Sequence, residues 1–139
     1  MDIRKIDDSI SVAPQIQPDE MAELARQGFR AVICNRPDGE AGDQPEQSVM
    51  ADAAAKAGLE FRFLPLAPGQ LTPDLISDFG TAVDEMPGPV LAYCRSGTRS
   101  ATLWALSQSG KSTPAEILRK AADAGYDLGN IAGALAEPR

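Results

Sequence analysis

Short apolar runs alternate with stretches of helical spacing along most of the chain. Residues 3–6 and 10–13 read as a short hairpin or edge pair of strands. Gln17-Pro18-Asp19-Glu20 opens a helix, because proline suits a first turn whose amide is unpaired anyway and acids meet the positive end of the dipole. Met21, Leu24 and Ala25 supply its apolar face, and Gly28 stops it. Residues 29–34 form a continuous apolar run broken only by Arg30, the pattern of a buried parallel strand. A loop of about ten residues follows, rich in Gly, Asp and Pro, and loops of that length in compact domains are often functional.

The second half repeats the alternation. An alanine-rich helix is expected over residues 45–57, a strand over 59–66, and a helix over 72–86 with Thr72 as its N-cap. Pro87-Gly88-Pro89 turns the chain into a strand at 90–93. The polar loop 94–100 leads into a helix at 100–109. Thr113-Pro114-Ala115-Glu116 has the form of a capping box and starts a helix that ends near Gly125. A last short helix is expected over 128–135. This order predicts one α/β domain over residues 1–139, built on a mostly parallel sheet. In such sheets ligands sit beyond the carboxyl ends of the strands.

Composition mainly excludes. The 139 residues include no histidine, which removes Ser-His-Asp and Cys-His nucleophile pairs and histidine-held zinc or haem. Thirteen basic against 20 acidic side chains leave a net charge of −7, which disfavours nucleic acid and anionic membrane surfaces as partners. Apolar runs fall short of a membrane span, and the amino terminus lacks the form of a secretory signal. Two cysteines make no disulfide framework, so a reducing cytoplasmic setting is expected. The acids lack metal-ligand spacing, and neither a metal nor a cofactor is expected.

The chemistry concentrates in Cys94-Arg95-Ser96-Gly97-Thr98-Arg99-Ser100. A strand delivers Cys94 to the sheet edge. The loop amides and the following helix N-terminus then form a concavity that suits an anion and favours a thiolate. Gly97 permits a backbone conformation that a Cβ would block. Arg99 offers a planar fork for an oxyanion, and Arg95, Ser96, Thr98 and Ser100 complete the substrate-binding set.

This loop resembles both the cysteine-phosphatase pattern (Cys-x5-Arg-Ser/Thr) and the rhodanese pattern (Cys-x4-Arg). Together with Val12-Ala13-Pro14-Gln15-Ile16 and Asn35-Arg36-Pro37-Asp38-Gly39-Glu40, it resembles the phosphatase-like domain of beta-lactamase-hydrolase-like proteins, also described as a sulfur transferase family. The resemblance runs over nearly the whole chain and implies a cysteine-phosphatase-like fold of the dual-specificity type. In some relatives the domain is fused to a metallo-β-lactamase-type domain linked to sulfide detoxification.

Two departures from the phosphatase pattern make sulfur transfer the first expectation. Only four residues separate Cys94 from Arg99, where phosphatases have five. The loop after the 59–66 strand, Ala67-Pro68-Gly69-Gln70-Leu71, lacks the aspartate that protonates a leaving group in related phosphatases, and Tyr93 replaces the histidine before their cysteine. A rhodanese-type sulfurtransferase would form a Cys94 persulfide from a small anionic donor such as thiosulfate or a persulfide. Arg99 would bind the donor, Ser100 would steady the thiolate, and a thiol, sulfite or cyanide would accept the sulfur. The alternative is a phosphatase acting on a phosphate ester through a phosphocysteine, with Asp38 or Asp43 reaching in as the acid. A third option is a non-catalytic anion-binding module.

Asn35, Arg36 and Asp38 are candidates to line the anion site, although Arg36 could equally pair with Asp38 or Glu40 and order the loop. Cys34 is expected to be a buried strand residue rather than a resolving partner for Cys94. Ser109-Gly110-Lys111-Ser112-Thr113 looks like the tail of a nucleotide-binding loop but has Ala105 where that motif needs glycine, and it follows a helix. Trp104 and Tyr126 are expected to pack in the core.

Overall fold

The computed structural model describes residues 1–138. Five strands form one sheet: β1 (Arg4–Lys5), β2 (Ile10–Ala13), β3 (Ala31–Cys34), β4 (Glu60–Phe63) and β5 (Val90–Tyr93), in the spatial order β1-β2-β5-β3-β4. The β1 edge pairs antiparallel to β2, while β2, β5, β3 and β4 run parallel. The helices are α1 (Met21–Arg26), α2 (Gln47–Lys56), α3 (Pro73–Glu85), α4 (Thr98–Ser107) and α5 (Pro114–Asp123). Short 3-10 turns occupy Pro18–Glu20 and Gly129–Ala134.

Strand alternation divides the core into two layers. Ile10, Val12, Ala31, Ile33, Val90 and Ala92 face one way and pack with Phe79, Leu103, Trp104 and Ile117 from α3, α4 and α5. Ala13, Val32, Cys34, Leu91 and Tyr93 face the other way and pack with Met21, Leu24, Met50 and Ala54 from α1 and α2. The central strands are therefore buried on both faces, which is why residues 31–34 and 90–93 are almost wholly apolar.

Several element ends differ from the sequence expectation for local reasons. The 59–66 strand shortens to β4, but its pairing runs on: the Leu64 amide donates to the Cys34 carbonyl at 2.9 Å and the Leu66 amide to the Asn35 carbonyl at 2.9 Å. The α4 helix begins at Thr98 rather than residue 100, because Gly97 (φ +92°) turns the chain directly into it. Thr72 caps α3 as expected, accepting from the Leu75 amide at 3.1 Å. At α5 only the Thr113 half of the expected box forms, accepting from the Glu116 amide at 3.2 Å, while the Glu116 carboxylate lies 3.5 Å from Lys120. The segment expected as a last helix, 128–135, is a 3-10 turn.

Candidate active site

The carboxyl ends of β2, β3, β4 and β5 converge on one edge of the sheet, with β5 placed between β2 and β3. The loops leaving these strands are tied together by backbone hydrogen bonds. The Cys94 amide donates to Ala13 at 3.4 Å, the Asn35 amide to Tyr93 at 2.8 Å, and the Gln15 amide to the Arg95 carbonyl at 3.3 Å. Residues 93–95 are thus held from both sides, by the chain after β2 and the chain after β3, before α4 begins.

Cys94 presents no exposed surface, and its sulfur accepts from the Gly97 amide at 3.1 Å. Of the loop amides expected to form a concavity, that of Gly97 points at the sulfur. Gly97 is required twice over. Its positive φ suits glycine, and a Cβ there would overlap the Tyr126 hydroxyl, which donates to the Ser96 carbonyl at 3.3 Å. Tyr126 therefore buttresses the loop from behind and is more than the packing residue expected; burial raises its phenol above the ordinary range. The Ser96 and Thr98 hydroxyls bond each other at 3.1 Å on the exposed side.

Arg99 projects from the first turn of α4 into a bidentate pair with Glu40, at 2.8 and 2.7 Å, and also donates to the Leu66 carbonyl at 2.9 Å. Glu40 in turn accepts from Arg36 at 3.1 Å, and Arg36 reaches Gln15 at 3.1 Å. Arg36 is buried, with only 6% of its side chain exposed, so its charge relies on Glu40. The Arg99 guanidinium, followed by Arg36, holds the Glu40 carboxyl below the usual carboxylate range, and Glu40 holds the Arg99 proton in return. Glu40 was not among the expected site residues. Its signal was its place in the Asn-Arg-Pro-Asp-Gly-Glu run, four residues after Arg36.

Three expected ligands turn out to support the site from behind. Asn35 is fully buried; its amide nitrogen donates to the Leu64 carbonyl at 2.8 Å, and its oxygen accepts from the Ser100 hydroxyl at 2.8 Å. Ser100 thus gives its proton to Asn35 and not to the Cys94 sulfur. Asp38 accepts from the Gln47 amide at 2.8 Å and caps α2, so it does not reach in as an acid. Asp43 is exposed and lies outside the groove. Cys34 is buried beside Tyr93 in the opposite core layer and donates to the Arg36 carbonyl at 3.4 Å. Burial pushes its thiol up, and both cysteines are free. Burial likewise pushes the Tyr93 phenol well above its ordinary range, and its hydroxyl faces Cys34 and Gln15.

A groove of about 620 Å³ opens above this loop. Leu66, Pro68 and Leu71 form an apolar wall, and Arg95, Arg99 and Glu40 form the charged one. Among the described residues no cluster of three or more metal-ligating side chains occurs, and no helix is long and apolar enough to cross a membrane.

A cysteine-bearing β5–α4 turn in a mostly parallel sheet with an arginine in the first helical turn fits the cysteine-phosphatase-like class of folds. A sequence model of the "Beta-lactamase hydrolase-like protein, phosphatase-like domain" matches residues 2–111, and the chain belongs to that family. A beta-lactamase hydrolase-like protein of Xylella fastidiosa (strain Temecula1) is 36% identical over 131 residues, covering 93% of this chain and 30% of that protein. The chain thus spans about a third of the length of such relatives. The crystal structure of a Neisseria meningitidis protein described as a "putative phosphatase" superposes with a TM-score of 0.85 at 31% identity, covering 96% of this chain and 95% of the other. Tk-PTP in its active form superposes at 0.64 with 21% identity over 88% of this chain and 84% of its own, a likeness of fold.

Proposed function

We propose that this domain is a cysteine-dependent phosphatase that works through a phosphocysteine on Cys94. The observation that carries the reading is the Cys94 sulfur held under the Gly97 amide at the start of α4, with Arg99 in the first turn of that helix lining the groove. The phosphatase-like fold and the 31% identity to the Neisseria meningitidis protein support it over the sulfur transfer expected from the sequence.

The cycle follows from the residues. The loop shifts to uncover the sulfur. The substrate's phosphoryl oxygens take the place of the Glu40 carboxylate on the Arg99 fork, an exchange of one bidentate anion for another. The Cys94 thiolate attacks phosphorus, an S–P bond forms, and the bridging P–O bond breaks with its electron pair leaving on oxygen. Loop amides and Arg99 bear the charge on the equatorial oxygens. Water then attacks the phosphocysteine, the S–P bond breaks, and phosphate departs carrying both water protons.

Sulfur transfer remains a second reading, favoured by the four-residue spacing between Cys94 and Arg99, which gives a smaller cradle than phosphatases use. One paired assay separates the two. An aryl phosphate should be turned over by the protein and not by Cys94→Ser. Thiocyanate formation from thiosulfate and cyanide, lost in the same variant and without aryl phosphate turnover, would reverse the order. Anion binding without either activity would leave a binding module.

A further inference from the structure

A phosphatase without an acid at its leaving group is restricted in what it can cleave. The wall over the groove, residues 67–71, is Ala-Pro-Gly-Gln-Leu and holds no proton donor of the carboxyl type. Glu40 is the carboxylate that lines the groove, and it is bound on both oxygens by Arg99 and further by Arg36. When substrate takes the Arg99 fork the buried Arg36 guanidinium still holds Glu40 at 3.1 Å, so it stays ionised and has no proton to give. Asp38 is spent on the α2 cap, and Tyr126 lies behind the loop, bonded to Ser96. A positioned acid is worth about 10²–10⁴ in rate, and alkyl phosphates need it because an alkoxide leaves poorly.

The groove offers something else. Arg95, the residue after the nucleophile, is exposed and lines the same groove as Arg99, and its guanidinium has no ion-pair partner among the described residues. A second cation beside the cradle, this one without an ion pair, suits a second anionic group on the substrate, next to the one being transferred.

We propose that the domain cleaves phosphoanhydrides: Arg99 holds the phosphoryl group that Cys94 attacks, Arg95 holds the phosphate that leaves, and the Leu66–Pro68–Leu71 wall receives the organic group attached to it. The inference rests on the phosphatase reading and deepens it. In the first step the Cys94 thiolate forms the S–P bond, the bridging P–O bond breaks, and the leaving phosphate takes the electron pair as a stable dianion. No proton is transferred, so no acid is needed. Hydrolysis of the phosphocysteine by water then returns the thiolate and releases phosphate.

The test compares an alkyl diphosphate, the monophosphate of the same alkyl chain, and p-nitrophenyl phosphate, in EDTA to suppress metal-dependent contaminants. The proposal expects the diphosphate to exceed the monophosphate by at least about 100-fold in kcat/KM, the lower end of what a missing acid forfeits. It also expects Arg95→Ala to lower the ratio of diphosphate to p-nitrophenyl phosphate turnover by about tenfold or more, with Arg95→Lys recovering part of it. Cys94-dependent p-nitrophenyl phosphate turnover with no preference for the diphosphate would overturn the inference and leave the phosphatase reading standing. An unchanged ratio in Arg95→Ala would remove Arg95 from the proposal. Absence of turnover on all three phosphates would overturn both.

Discussion

Glu40→Gln isolates the ion bridge that joins the 35–46 loop to the first turn of α4. The substitution keeps the shape and removes the charge shared by Arg99 and Arg36. The Arg99 and Glu40 side chains are 25% and 22% exposed, so solvent screens their attraction and an exposed-pair value of about 0.2–1 kcal/mol applies to that half. Arg36 is more deeply buried, and weakening its charge-assisted bond adds about 1.5–3 kcal/mol at most, less what the glutamine oxygen still accepts. A net loss of about 1–3 kcal/mol is expected, read as a lower midpoint in urea at unchanged m-value.

The pH dependence gives the sharper readout. Glu40 is held below its unfolded pKa, chiefly by its bond to Arg99, so its contribution is present above the ordinary carboxylate value of about 4.3. It is lost as pH falls from there through the lowered folded value. Wild-type stability should therefore drop more steeply on acidification below about pH 4.3 than that of Glu40→Gln. Equal midpoints at neutral pH together with parallel acid limbs would refute the bridge as a stabilising element.

Two other substitutions probe the loop and its support. Gly97→Ala combines a left-handed φ with overlap on Tyr126, and should cost about 1–3 kcal/mol in strain and abolish most activity in the paired assay; adding Tyr126→Phe should not restore it, since the ring carbon also stands too close. Ser100→Ala and Asn35→Ala each strand a buried partner, at about 1–3 kcal/mol, and a double-mutant cycle in urea should show them strongly non-additive, whereas simple additivity would deny their hydrogen bond.

Most of the architecture was legible because β3 and β5 are buried on both faces and the elements are bounded by Gly, Pro and Thr signals whose chemistry is local. Thr72 and Thr113 capped where their sequence context placed them. The end of β4 was less legible, since continued pairing of Leu64 and Leu66 with the 34–35 backbone replaces regular strand geometry there. At the candidate site, Cys94, Gly97 and Arg99 could be named together because one seven-residue turn carries them. The partners of that turn were not. Glu40 meets Arg99 across 59 residues of chain, Ser100 meets Asn35 across 65, and Tyr126 reaches the Ser96 carbonyl from 30 residues downstream. Spacing placed Asn35, Arg36 and Asp38 on the loop after β3. It could not tell that burial and helix capping would occupy all three and leave Glu40 facing the groove.

The group that Cys94 carries between half-reactions separates phosphoryl transfer from sulfur transfer. Rapid acid quench of the protein with a phosphate substrate, followed by intact mass and peptide mapping, tests it directly. An added phosphoryl group is expected on the Cys94 peptide and is expected to be absent in Cys94→Ser. An unmodified Cys94 under those conditions, with one sulfur atom added after thiosulfate, would contradict phosphoryl transfer.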